Sequence, residues 1–143
     1  MEKALFVTSY VPYDKTETSK LKKYKLTDEY LRFYFKYVEP NLKLISHNKN
    51  KNLFAQLVAP NWQPWLGFSF ENFCLKNAWH LAELMGFQDQ VLQWGPYFHR
   101  QDTGFQIDLL YLRKDRVITL CEIKYHNEPI TVKVVHEVEK NLL

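Results

Sequence analysis

The sequence predicts a chain that mixes helix and strand, of the α/β (α+β) kind. Two observations predict it, and a third bounds the chemistry. Apolar residues recur at helical spacing over roughly residues 64–85. Three strand-like segments follow, at 91–98, 105–112 and 117–124, separated by short polar turns. None of the four glycines, Gly67, Gly86, Gly95 and Gly104, belongs to a phosphate-cradling loop, which excludes P-loop and dinucleotide-binding chemistry within these 143 residues.

Residues 4–13 and 22–26 read as two strands around a charged turn, Asp14 to Leu21. Lys22-Lys23-Tyr24-Lys25-Leu26 is too polar for a central strand, so this hairpin is expected to be exposed. Thr27 is expected to cap a helix, with Asp28 and Glu29 suiting the positive end of its dipole. Leu31, Tyr34, Phe35 and Val38 continue it until Pro40 stops or kinks it. Residues 46–52 form a polar loop, and a short helix over 53–58 ends at Pro60. The next helix is expected to run from Pro64 or Trp65 to Met85, closed by Gly86. Its stripe is Phe68, Glu71, Leu75, Ala78, Ala82 and Met85. A carboxylate on a core-facing stripe needs a partner or a polar pocket, which singles out Glu71.

After the strand at Val91–Phe98 comes a turn, Asp102-Thr103-Gly104. The segment 105–112 sets Phe105, Ile107, Leu109 and Tyr111 on one face and Gln106, Asp108, Leu110 and Leu112 on the other. The nearly unbroken apolar run from Val117 is expected to be a central strand buried on both faces. A last helix begins at residue 131. The expected domains are 1–26, a hairpin; 27–60, a helical connector; and 61–143, the core.

Composition bounds the function. The longest strictly apolar runs, such as Leu109-Leu110-Tyr111-Leu112, are four residues, against the roughly 20 a membrane span needs. The apolar stretch before Ser9 is too short for a signal peptide, so none is expected here. Cys74 and Cys121 read as buried free thiols of a reduced, cytoplasmic protein. The net charge of +3 is uneven: residues 1–59 hold 11 Lys and Arg against 6 Asp and Glu. Lys20, Lys22, Lys23 and Lys25 belong to that basic part and are candidate phosphate contacts. The aromatic content of 16% is assigned to core packing.

The chemistry converges on one constellation. A hairpin loop of odd length, Lys114-Asp115-Arg116, pairs residue 113 with 117. That register sets Asp108 opposite Glu122, with Lys124 on the same face. Two adjacent carboxylates repel unless a cation lies between them. Lys124 offers one charge. A divalent metal held by Asp108, Glu122 and a nearby backbone carbonyl offers another solution, with Glu71 as an outer acidic group. The plainer reading is a salt bridge among Asp108, Glu122 and Lys124.

A helix carrying Glu71, a strand carrying Asp108 and a strand ending in Glu122-Ile123-Lys124 resemble the PD-(D/E)xK nuclease superfamily. The resemblance implies a restriction-endonuclease-like core: a helix, a three-stranded mixed sheet and a C-terminal helix. It implies Mg²⁺ or Mn²⁺ bound by Asp108, Glu122 and the carbonyl of Ile123, with Glu71 in the outer shell. Glu71, Asp108, Glu122 and Lys124 would form the catalytic set of a Mg-dependent deoxyribonuclease acting on DNA. The proline expected before the Asp is replaced by Ile107.

Four longer segments, Tyr24 to Phe35, Trp65 to Asn72, Gly104 to Leu110 and Leu120 to Lys124, resemble the nuclease-like C-terminal domain of prokaryotic AAA-type ATPases. That resemblance makes residues 4–26 look like the wing of a winged helix. It also implies an ATPase partner, or a second copy completing the sheet, with the superfamily's fourth strand expected to lie outside residues 61–143. The alternative function is a non-catalytic module binding nucleic acid or an ATPase, or a truncated remnant.

Overall fold

The computed structural model describes residues 6–11, 16, 18–20, 22–47, 52–98 and 106–142. It is an α+β chain: a two-stranded hairpin, a run of helices, a three-stranded sheet and a final helix. Two compact units divide it, residues 1–9 with 23–69, and residues 10–22 with 70–143.

In the first unit, β1 (Val7–Tyr10) pairs with β2 (Lys23–Leu26). The expected cap at Thr27 moves one residue on. Thr27 is buried, and its backbone N–H donates to Phe6 O at 2.9 Å, which closes the hairpin. Asp28 takes the cap position instead, its Oδ1 accepting from Leu31 N–H at 2.8 Å ahead of α1 (Glu29–Phe33). Pro40 kinks the chain rather than stopping it. A π-turn (Tyr34–Val38) and a 3-10 turn (Glu39–Asn41) absorb its missing N–H, and α2 (Leu42–His47) continues. The helical path thus enters the segment expected to be a polar loop; residues 48–51 lie outside the described part.

The short helix α3 (Leu53–Leu57) ends as expected. A 3-10 turn holding Pro60 leads into α4 (Trp62–Lys76), two residues earlier than Pro64 marked. Pro64 then sits in the first turn, where its missing N–H has no carbonyl to meet. Rings bind these helices together: Tyr37 on Phe33, Phe33 edge-on to Trp65, Trp65 stacked on Trp62 at 4.8 Å, and Trp62 edge-on to Phe54.

In the second unit, the long predicted helix is broken at Asn77. The Asn77 backbone N–H donates to both Phe73 O and Cys74 O, and its side-chain Nδ2 donates to Phe73 O at 2.8 Å. A local turn thereby competes with the helical ladder, and α5 (Ala78–Leu84) restarts beyond it. Gly86 ends α5 with φ +77°. Its N–H donates to Glu83 O and that of Phe87 to Ala82 O, the paired bonds of a Schellman cap.

The sheet is β3 (Val91–Phe98), β4 (Gln106–Arg113) and β5 (Ile118–Cys121), in that order. Both ladders are antiparallel rather than mixed. The physical reason is connection length: a short turn returns a strand only antiparallel, whereas a parallel neighbour needs a long crossover. The turn Asp102-Thr103-Gly104 lies outside the described residues. The central strand is β4, not the run from Val117. Leu109, Leu110 and Tyr111 are buried on both of its faces, while Val117, just before β5, and Ile118, its first residue, are exposed.

The core gathers Ala78, Ala82, Phe87, Val91, Leu109 and Tyr111. Burying a side chain such as Leu109 contributes about 1.5–3 kcal/mol. The alanines let Tyr111 approach α5, where its hydroxyl donates to Ala78 O at 2.6 Å. Phe68 and Met85, at the ends of the expected stripe, are exposed. The final helix is α6 (Lys133–Leu142). No helix among the described residues is long and apolar enough to cross a membrane.

Candidate active site around Asp108, Glu122 and Lys124

The geometry begins with the turn between β4 and β5. Lys114, Asp115 and Arg116 form a three-residue loop with Arg116 at φ 65°, the left-handed position such loops require. The Arg113 N–H donates to Val117 O at 3.1 Å. Asp115 braces the loop, accepting from Arg113 Nη2 at 2.6 Å and from Val117 N–H at 3.2 Å. The Arg113 guanidinium holds the Asp115 carboxyl below its usual range. The pairing runs on through Leu112 with Ile118 to Leu109 with Cys121. One step further brings Asp108 to the level of Glu122.

There the ladder stops. On the β3 side, Gly95 pairs with Leu110 and Tyr97 with Ile107, so Asp108 and Leu109 together face Pro96. That is a bulge on β4 opposite a residue with no N–H to give. On the β5 side, Asp108 replaces the missing backbone partner with its side chain: Oδ2 accepts from the Ile123 N–H at 2.8 Å. Ile123 packs inward against the core. Lys124 Nζ lies 2.6 Å from Glu122 Oε1, with both side chains partly exposed.

Burial raises the Asp108 carboxyl above its usual range. The Ile123 N–H opposes that shift, the charges of Glu122 and Glu71 add to it, and Lys124 draws it back. Glu71, on α4, therefore belongs to the same electrostatic neighbourhood, and it reaches Cys74 as well. Burial, then the Glu71 charge, push the Cys74 thiol up, and burial does the same to Cys121. Both cysteines are free thiols.

Asp108, Glu122, Ile123 and Lys124 thus meet at the end of one hairpin, and Glu71 is felt by Asp108. Among the described residues, no three or more His, Cys, Asp or Glu side chains gather to hold a metal ion. The expected ligand set contains only two such side chains, with the Ile123 carbonyl third and Glu71 farther out. The donors are all hard oxygens, the chemistry that suits Mg²⁺ or Mn²⁺. Asp108, pushed up by burial and then by the charges of Glu122 and Glu71, is the kind of group a cation relieves.

The basic candidates lie elsewhere along the chain. Lys20 is in an exposed turn, Lys22 leads into β2, and Lys23 and Lys25 flank the exposed Tyr24 on β2. The sequence reading passed over Asn72, which is 1% exposed beside Glu71. It also passed over Phe70 and Tyr125, which touch across the site's flank. An amide inside an apolar helix was the available signal for Asn72; the ring pair had none.

Residues 34–140 match the family described as archaeal and bacterial proteins of unknown function. The chain belongs to this DUF234 family. An uncharacterized protein of Methanocaldococcus jannaschii is 27% identical to it over 122 residues, covering 84% of this chain and 26% of the relative. This DUF234 chain therefore spans about a quarter of the length of that curated relative. No solved structure matches it.

Proposed function

We propose that this DUF234 protein is a metal-dependent nuclease that hydrolyses phosphodiester bonds in DNA, with a site of the PD-(D/E)xK kind. The observation that carries the reading is the hairpin register, which sets Asp108 level with Glu122 and leaves Ile123 and Lys124 at the same strand end. Asp108, Glu122 and the Ile123 carbonyl would hold a Mg²⁺ or Mn²⁺ ion, which would supply Lewis acidity toward the phosphodiester. Asp108 is fixed by the Ile123 N–H, so its carboxylate is presented with little reorganisation. Lys124 orients the attacking water and counters charge growing on the phosphate. Glu71 adds negative charge behind Asp108 and favours cation occupancy.

A second reading rests on the short Lys124–Glu122 pair. There the lysine neutralises the carboxylate, and the domain serves as a module that binds nucleic acid or an ATPase without cutting. One experiment separates them. Plasmid and single-stranded DNA are incubated with the protein in Mg²⁺, Mn²⁺ or EDTA. Metal-dependent cleavage that disappears in Asp108→Ala and in Lys124→Ala supports the nuclease. Cleavage retained in both variants rejects it, and binding without cleavage supports the module.

A further inference from the structure

The three-stranded sheet has two outer strands, β3 and β5, and their edges are finished differently. The outer backbone of an edge strand is a template for pairing, and proteins blunt it with proline, bulges or charge. β3 carries Pro96 and register shifts at Val91/Gln93 and Gly95/Tyr97. β5 carries none of these devices. Ile118-Thr119-Leu120-Cys121 holds no proline and no charge, and its ladder to β4 runs without a shift. One bond fixes which way its backbone groups point. Arg113 N–H donates to Val117 O, so Val117, and with it Thr119 and Cys121, turns inward to β4. Ile118 and Leu120 therefore turn their N–H and C=O groups outward, where no strand among the described residues meets them. Val117 and Ile118, 45% and 54% exposed, set apolar side chains along the same edge.

We propose that β5 pairs with β5 of a second copy of this chain, antiparallel about a two-fold axis at Thr119, joining two sheets into one. Charge selects a second copy. A two-fold interface sets a surface against itself, so a charge near the axis meets its own sign, and Ile118–Cys121 has none. Bonds form only where outward residues face outward residues, which puts the axis at Ile118, Thr119 or Leu120. An axis at Ile118 runs the partner strand into the turn, where Arg116 at φ 65° is not extended. An axis at Leu120 sets Arg116 against the partner's Lys124. An axis at Thr119 sets Arg116 against the partner's Glu122, once on each side. Lys124 takes Oε1 of Glu122, and Oε2 is the second acceptor. In that register Ile118 and the partner's Leu120 exchange both backbone bonds, and the two Thr119 side chains lie opposite each other. A strand this short buries less than a standard interface, so the dimer is expected to be of about micromolar strength or weaker. None of this rests on the nuclease reading.

Sedimentation equilibrium of the full chain in EDTA tests the pairing, through the micromolar range to about 1 mM. The wild type is expected to rise from 17.2 kDa toward twice that mass. Ile118→Lys sets a charge on the exposed edge and should hold the monomer mass. Ile118→Pro removes an outward N–H that the β4 ladder does not use, and should do the same. Arg116→Glu lies in the turn, outside the strand, and should weaken the dimer about tenfold. Circular dichroism shows which variants are folded, and any one folded variant decides. Cross-linking reads the register. Thr119→Cys, oxidised with copper–phenanthroline, should give a disulfide-linked dimer in excess of the wild type, because the axial pair brings its Cβ atoms close. Ile118→Cys, which faces the partner's Leu120, should not. A wild type that keeps the monomer mass at every concentration overturns the proposal. So does a dimer that every folded variant keeps at wild-type strength, which places the contact elsewhere. Cross-linking through Ile118→Cys and not through Thr119→Cys overturns the axis at Thr119.

Discussion

Asp108 Oδ2 accepts a hydrogen bond from the backbone N–H of Ile123 at 2.8 Å, across the point where the β4–β5 ladder ends. One carboxylate therefore serves the strand end and the candidate metal site together. Lys124, one residue beyond Ile123, is drawn to Glu122 by the same local charge.

Two substitutions separate those roles. Asp108→Ala strips the acceptor from Ile123 and should cost about 1–3 kcal/mol, the penalty of an orphaned donor. Asp108→Asn keeps an acceptor and removes a carboxylate that burial disfavours, so it should melt at or above the wild type in EDTA. With Mn²⁺ at a hundredfold excess over its Kd, the wild type should gain about 2.7 kcal/mol and Asp108→Asn nothing. Thermal melts with and without the ion check this. An equal gain in both proteins removes Asp108 from the ligand set.

Lys124 and Glu122 should fail in different ways. Lys124→Ala should lower cleavage by about 10²-fold or more while leaving Mn²⁺ affinity at or above the wild-type value, since Glu122 loses its 2.6 Å partner. Glu122→Ala should weaken the ion itself. Calorimetric titration beside a cleavage assay distinguishes the two patterns, and parallel loss of metal binding in both variants would contradict the separate roles.

Alkaline pH should expose Tyr111. Burial pushes its phenol from 10.0 up to about 12. Between those values the folded chain keeps the proton and the unfolded chain releases it. The contribution is therefore complete below about pH 10 and is lost as the pH rises through about 12. Tyr111→Phe should cost about 1 kcal/mol at neutral pH through the lost bond to Ala78 O. It should also melt with a shallower fall above pH 10. Matching alkaline slopes in the two proteins would place the effect on other groups.

Gly86 is the simplest stability probe. Its φ of +77° is left-handed, and nothing lies within 4 Å of where a Cβ would stand. Gly86→Ala should thus cost about 1–2 kcal/mol from backbone strain alone, without a steric clash. Denaturant unfolding measures it, with an unchanged m value.

The register of the candidate site was legible in the chain because it is set locally. Lys114-Asp115-Arg116 has three residues, Asp115 can brace the turn, and strand alternation does the rest. The limits of Val91–Phe98 and the helix end at Gly86 were legible for the same reason. The cap at Asp28 and the break at Asn77 were not. Each depends on which of two neighbouring polar groups wins a backbone partner, and for Thr27 that partner is Phe6, far away in sequence. The apolar run from Val117 shows the same limit: hydrophobicity marks a strand but does not say whether neighbours cover both its faces.

The amino-acid sequence by itself determined the α+β element order and the hairpin register that pairs Leu112 with Ile118 and Leu109 with Cys121, consequences of periodicity and turn length. Only the tertiary structure decided that β4 is central, that Asp108 sits in a bulge opposite Pro96, and that Phe70 meets Tyr125 in water. Those facts depend on contacts between residues distant in the chain. The 16% aromatic content divided the same way: Tyr37, Phe87, Phe98 and Tyr111 went to the core, while Tyr30, Phe68 and Phe73 stayed exposed. Composition counts rings, but packing decides which of them water can reach.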